Sequence, residues 1–222
     1  MAYSLIAHTS AGSVNSGTSV TTPGINTTGC DLVVVIATFY AGAPGTFSDS
    51  KGNTWSVASP TYPAASYGER ILYCQGGTVG TGHTFTTGGT TNYPSIAVLA
   101  FSGSASTPFD QQSSGVALST GSITPNFANE LIVAALVTNA SSAPSIDSGM
   151  TAVDFSPNVG GNSLGVASAY KVQTAAVSIS PNWTSGGGTY SCNVASFAAA
   201  SASAFVSRSV NVSQAVNRSN SF

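Results

Sequence analysis

The chain has 222 residues, 42% of them hydrophobic, with only 5 basic and 7 acidic side chains and a formal net charge of -2. Charged residues make up 5% against about 25% in ordinary proteins, yet the apolar content is too high for a disordered chain. No cluster of Lys or Arg exists, which excludes the basic footprint of a nucleic-acid binder or of a protein drawn to anionic membranes.

The surface must therefore consist of Ser, Thr, Asn, Gly and Gln. That suits a protein living outside cells or on particles, and it is also what a β-rich fold tolerates. Residues 1–7 have no basic segment and only a short apolar run, so no signal peptide is expected there. The apolar run Leu32 to Ala37 is far below the ~18 residues needed to span a bilayer. We expect a chain made in the cytoplasm and released by lysis.

Helix signals are scarce. The 24 Gly and 10 Pro punctuate runs rich in Val, Ile, Thr, Tyr and Phe. Strands are predicted at 2–9, 17–22, 31–40, 53–59, 68–75, 81–87, 94–102, 116–124, 129–138, 150–155, 163–172, 176–180 and 189–199. The runs 31–40 and 129–138 are apolar on both faces and are expected to be central; the others alternate. Residues 102–115, polar and rich in turn formers, read as a join.

Two stretches follow the same order. Asp31-Leu-Val-Val-Val-Ile-Ala-Thr-Phe-Tyr40 is matched by Glu130-Leu-Ile-Val-Ala-Ala-Leu-Val-Thr138. Asp49-Ser50 and Asp147-Ser148 follow, then strands bearing Tyr73 and Tyr170, then apolar strands ending in Phe101 and Phe197. Such a match points to two copies of one β unit burying their faces against each other. The expected fold is all-β: a two-sheet, jelly-roll-like sandwich over residues 1–205 with an internally duplicated strand unit, at about 31–101 and 130–197.

Chemical signatures are weak. Cys30, Cys74 and Cys192 are odd in number and widely spaced, which argues for buried free thiols rather than disulfides or zinc. Gly161-Asn-Ser163-Leu-Gly165 fits the G-x-S-x-G nucleophile pattern, but strand-like residues follow where a helix is required. His8 and His83, the only histidines, are expected at the surface or in turns. Asp49-Ser-Lys-Gly-Asn53 lacks the alternating acidic ligands of a calcium loop and reads as a tight turn with Gly52 at positive φ. No catalytic residue, cofactor or metal is expected. Trp55 and Trp183 are candidate sugar-stacking residues for an alternative role in glycan binding, in a phage fibre or a bacterial surface adhesin.

The last stretch, 206–222, is read as an extended C-terminal arm. Val206, Val210, Val212 and Val216 share one parity, with Ser and Asn mostly on the other, and Arg208 and Arg218 are its charges. It is either a frayed polar end or a strand that pairs with another chain.

Asn15-Ser-Gly-Thr-Ser-Val-Thr-Thr-Pro23, Thr28-Gly-Cys-Asp-Leu-Val-Val-Val35 and Asp49-Ser-Lys-Gly-Asn-Thr-Trp-Ser-Val57 resemble a widespread, poorly characterised β-sandwich module. So do Leu99-Ala-Phe-Ser-Gly103, Pro108-Phe-Asp110 and Asn129-Glu-Leu-Ile-Val133. Such modules occur in phage structural proteins and bacterial surface proteins. The resemblance implies fold and setting rather than chemistry. The expected role is a non-enzymatic virion protein, a capsid decoration or cement protein of a phage head. Its partners would be the major capsid protein, other virion subunits or further copies of itself, without nucleic acid or membrane.

Overall fold

The computed structural model describes residues 2–13, 17–40, 45–59, 67–88, 93–157, 164–188 and 190–201. Its strands are β1 (Ser4–Gly12), β2 (Ser19–Thr21), β3 (Leu32–Tyr40), β4 (Thr46–Asp49), β5 (Ser56–Ser59), β6 (Tyr67–Gln75), β7 (Phe85–Gly88) and β8 (Ser95–Ser102). They continue with β9 (Ser104–Val116), β10 (Glu130–Thr138), β11 (Ser145–Ile146), β12 (Thr151–Ser156), β13 (Gly165–Gln173), β14 (Trp183–Thr184) and β15 (Tyr190–Ala199). No helix occurs among the described residues.

The first large sheet has the order β1-β8-β3-β6-β5 and the second β12-β13-β10-β15-β9, with every pairing antiparallel. The two apolar runs, β3 and β10, are the middle strands. Their registers correspond: Val34 stands opposite Tyr73 as Val133 stands opposite Tyr170, and Leu32 opposite Phe101 as Leu131 opposite Phe197. The sheets lie face to face in a sandwich-like stack, β1 against β12, β8 against β13, β6 against β15 and β5 against β9.

Why both faces of the middle strands are apolar follows from three apolar layers. Between the large sheets, Leu32, Val34, Ile36, Leu99 and Phe101 meet Leu131, Val133, Ala195 and Phe197. Tyr170 closes edge-on over Phe101 at 5.3 Å and Tyr73 over Phe197 at 5.5 Å. On the outer face of the first sheet, Val33, Val35, Ile96 and Val98 are covered by Phe85, Phe47 and Trp55. Phe85 and Phe47 come with a small sheet of order β2-β7-β4, and Trp55 from the segment just before β5. On the outer face of the second, Ile132, Leu136 and Val194 are covered by Ile123, Ile179 and Trp183, the last from the β11-β14 pair. Alternating side chains on β3 thus point into two different cores, so no position on it can be polar without a partner.

Two features differ from expectation. A jelly roll passes its strands between two sheets; here each large sheet takes all five strands from its own half of the chain. And the polar join at 102–115 is not a turn but the longest strand, β9, on the rim of the second sheet. A rim strand needs only one ladder and tolerates Ser, Gln and Pro. Its pairing with β15 is irregular at two places, and Pro108 falls in the second of them.

β9 ends under a crossing segment. A Cβ on Gly115 would stand 1.8 Å from the Ser119 carbonyl oxygen and 2.8 Å from the Gly121 amide nitrogen, both backbone atoms. Gly115→Ala is therefore expected to cost about 1–3 kcal/mol, the range of an overpacked core. Urea unfolding checks this, with Gly186→Ala as control, where the nearest atom would be the Ser142 hydroxyl at 3.9 Å.

Candidate functional site

The densest polar constellation surrounds Asp49, at the end of β4. Its side chain is 0% exposed. One carboxylate oxygen accepts from the Lys51 amide (2.7 Å), Asn53 Nδ2 (3.2 Å) and His83 Nε2 (3.0 Å). The other accepts from the Asn53 amide (3.2 Å) and Trp55 Nε1 (2.7 Å). Asp-Ser-Lys-Gly-Asn gives a turn in which Gly52 takes φ 71°, and the turn aims two backbone amides at the Asp side chain. Burial alone would push this carboxyl up. The bonds from Trp55, His83 and Lys51 outweigh it and hold the group below its usual range.

Since a carboxylate only accepts, His83 carries its proton on Nε2. Its Nδ1 lies 3.0 Å from Thr27 Oγ1, and its ring stacks on Phe85 at 4.2 Å. Thr27, His83 and Asp49 thus form a hydroxyl–imidazole–carboxylate chain, the group types of a nucleophilic triad. Both Thr27 and His83 are 0% exposed, so no substrate reaches the hydroxyl. That hydroxyl also accepts from the Gly80 amide at 3.0 Å. The chain is a structural clasp joining β4, the 78–83 loop and the segment after β2. His83 is accordingly a core residue, not the turn or surface residue expected from its Gly-rich neighbourhood. With five N–H donors around it, the Asp49 carboxylate offers a cation nothing.

The corresponding acid of the second half, Asp147, is exposed. It accepts from the Asn182 amide (2.8 Å), Asn182 Nδ2 (3.3 Å) and the Ser148 hydroxyl (2.8 Å). No imidazole or indole joins it.

The two candidate sugar-stacking residues are placed unlike one another. Trp183 is 2% exposed and packed in the outer core of the second sheet. Trp55 is half-buried, crosses Phe47 edge-on at 4.7 Å and spends its Nε1 on Asp49. Val206, Arg208, Val210, Val212, Val216 and Arg218 lie outside the described residues, as do Gly161 and Ser163; Gly165 opens β13, a strand. His8 does lie partly exposed, with Nδ1 3.0 Å from Asp154 Oδ2, linking β1 to β12 at one rim of the stack. Cys30, Cys74 and Cys192 are free and buried. Burial pushes the Cys30 thiol up to about 11.

A second polar group lies between the large sheets. Glu69, on β6, has the inward parity of Ile71 and Tyr73 and is 0% exposed. Asn193 of the facing sheet reaches it, with Nδ2 3.4 Å from the Glu69 carbonyl. No hydrogen bond of good geometry reaches either carboxyl oxygen among the described residues, nor Asn193 Oδ1. Burial raises the Glu69 carboxyl well above its ordinary value, opposed only by the Asn193 backbone. Burial thus favours its neutral form.

Three more acids cluster where the two sheets join. Asp31 accepts from the Gly103 and Ser104 amides, each at 3.0 Å, and so fixes the step from β8 into β9. Glu130 accepts from the Phe127 amide at 2.9 Å, and Asp110 from the Asn126 amide at 2.8 Å and Asn126 Nδ2 at 2.5 Å. Burial pushes the Glu130 carboxyl up against the Ser196 hydroxyl and Phe127 amide, and the neighbouring Asp110 pushes it further. Beside these acids opens a groove of about 590 Å³, lined by Ala105, Thr107, Phe127, Asn129, Ala198 and Ser201.

Sequence reasoning missed Glu69, the clasp and this groove. The turn at Asp49 was legible, but its His83 partner arrives from 34 residues away. Comparison of the chain with family models, curated proteins and solved structures finds no match to any of them.

Proposed function

We propose that this chain is a non-enzymatic structural subunit of a phage virion, a decoration protein that sits on the head and bridges neighbouring shell subunits. The observation that carries the reading is the three-layered apolar packing of two large sheets, which makes a stiff block. Its surface of uncharged polar residues suits exposure outside a cell. The polar clusters are spent on holding the block together: Asp49 and His83 as a clasp, Asp31 at the step between sheets.

The block is proposed to be two copies of one unit. Support comes from the matching strand orders, with β1, β3, β5, β6 and β8 taking the places of β9, β10, β12, β13 and β15. Exchanging the halves also turns the contact of β1 with β12 into that of β9 with β5. Asp31 directly precedes Leu32 of β3 as Glu130 directly precedes Leu131 of β10.

The partners would be the major capsid protein and neighbouring copies. Symmetry then multiplies a weak contact many times. The test adds purified chain to shells that lack it and follows bursting on heating. Shells that take up the chain and burst at higher temperature support the reading; shells that do not bind it count against it. Removing residues 206–222 is expected to leave the melting temperature nearly unchanged and to weaken or abolish uptake. Full uptake by the shortened chain would reduce the arm to a frayed end.

A further inference from the structure

The groove beside Asp110 has features that suit a strand from outside. Its rim carries Phe127, 58% exposed, the most exposed large apolar side chain among the described residues. Of its wall residues, Phe127 is held by Glu130, while Asp110 fixes the adjoining Asn126 and Asp31 fixes Gly103 and Ser104, just before Ala105. Three of the 7 acidic residues of the chain thus stand at one end. One Glu130 carboxyl oxygen, Oε2, is buried with no partner among the described residues. Asp110 and Glu130 are close enough to repel. Two acids in that relation are relieved by a proton or by a neighbouring cation.

The chain carries 5 basic residues, and two of them, Arg208 and Arg218, lie on the segment that follows Ser201. Ser201 is itself part of the groove wall. We propose that the groove is the dock for residues 205–218 of a second copy of the chain, whose valines fill it and whose Arg208 or Arg218 meets the Asp110 carboxylate. This deepens the structural-subunit reading by naming the contact through which copies join, and rests on that reading for its setting.

The choice of a second copy follows from where the segment starts. After Ser201 the first Gly, Pro, Asn or Asp is Asn211. Nine residues without a strong turn former, if extended at about 3.3 Å each, reach roughly 30 Å before a tight reversal is favoured. A segment that begins at the wall of its own groove is thereby delivered to a neighbour's. Val206, Val210, Val212 and Val216, of one parity, then face the groove while Ser and Asn of the other parity face water.

The test mixes two full-length variants, Thr107→Cys and Val210→Cys, under mild oxidation; the three native cysteines are buried. A disulfide between the two different copies is the expected result. The double variant, oxidised at low concentration, separates the alternatives. Linked dimers and larger species support the dock; a purely internal link means that the segment returns to its own groove, and overturns it. No link in either experiment also overturns it. A second variant, Arg208→Gln with Arg218→Gln, is expected to weaken self-association in sedimentation about fivefold, the weight of one exposed ion pair. Unchanged self-association overturns the arginine part. These measurements use purified chain alone, so a failed link together with normal uptake into shells overturns the dock and leaves the structural role standing.

Discussion

An Asp49→Ala variant is expected to lose about 3–5 kcal/mol of folding stability, because several buried donors lose their acceptor at about 1–3 kcal/mol each. The carboxylate is the shared acceptor for the Lys51 and Asn53 amides, the Asn53 side chain, the Trp55 indole and the His83 ring. Deleting it strands donors that water cannot reach, above all His83 Nε2 at 0% exposure. At roughly 2–4 °C per kcal/mol for a chain of this size, the melting temperature should fall by roughly 6–20 °C. Asp147→Ala is the control, since its acid is exposed and bound only by Asn182 and Ser148; it should cost no more than about 1 kcal/mol. Equal losses at the two positions would mean that the clasp contributes nothing beyond an ordinary turn.

The second large effect is a pH dependence with an unusual sign. Glu69 has a folded-state pKa well above its ordinary 4.5, because burial opposes the charged form. Below 4.5 both folded and unfolded chains carry the proton, and Glu69 imposes no penalty. Above it the unfolded chain ionises while the folded chain does not, so stability falls with rising pH until the folded pKa is passed. The slope is about 1.4 kcal/mol per pH unit. Glu130, also raised by burial and by Asp110, acts in the same direction. Asp49 acts oppositely: its pKa is depressed, so its contribution is present above the ordinary 3.8 and is lost as pH falls through the folded value.

Stability should therefore peak in the mildly acidic range and decline toward neutrality. Glu69→Gln keeps the shape and removes the titration. Its melting temperature should exceed that of the parent by several degrees at pH 7, with the difference vanishing near pH 4. Thermal unfolding across pH 3–8 checks this. A gap that does not narrow toward acid pH would show that Glu69 is ionised in the folded chain.

What the sequence made legible was what depends on short-range pattern. The runs 31–40 and 129–138 declared their central place because two-sided burial leaves no polar position. The turn at Asp49 with Gly52 was readable because positive φ selects Gly within a five-residue window. β9 was not readable, because a rim strand is held by β15 across the sheet and its own residues look like a loop. The strands β4, β11 and β14 were missed because strands of two to four residues leave little period to detect.

The site was less legible still. His83 sits among Gly and Thr, and only the return of the chain over Thr27 and Asp49 shows it to be a core residue. Trp183 is an aromatic of the same type as Trp55, and nothing local says that it covers Ile132 and Leu136 from outside. Glu69 lies in a strand whose neighbours Arg70 and Tyr73 are half-buried, so its inward parity emerges only once β6 is seen between β3 and β5.

The claim that this chain is a structural subunit of a particle, with each copy fixed to its neighbours, is tested most directly by counting it. Quantitative mass spectrometry of purified particles, with the major capsid protein as internal standard, gives copies per particle. The account predicts hundreds, in fixed proportion to the shell subunit. A handful of copies, or none in washed particles, would contradict it.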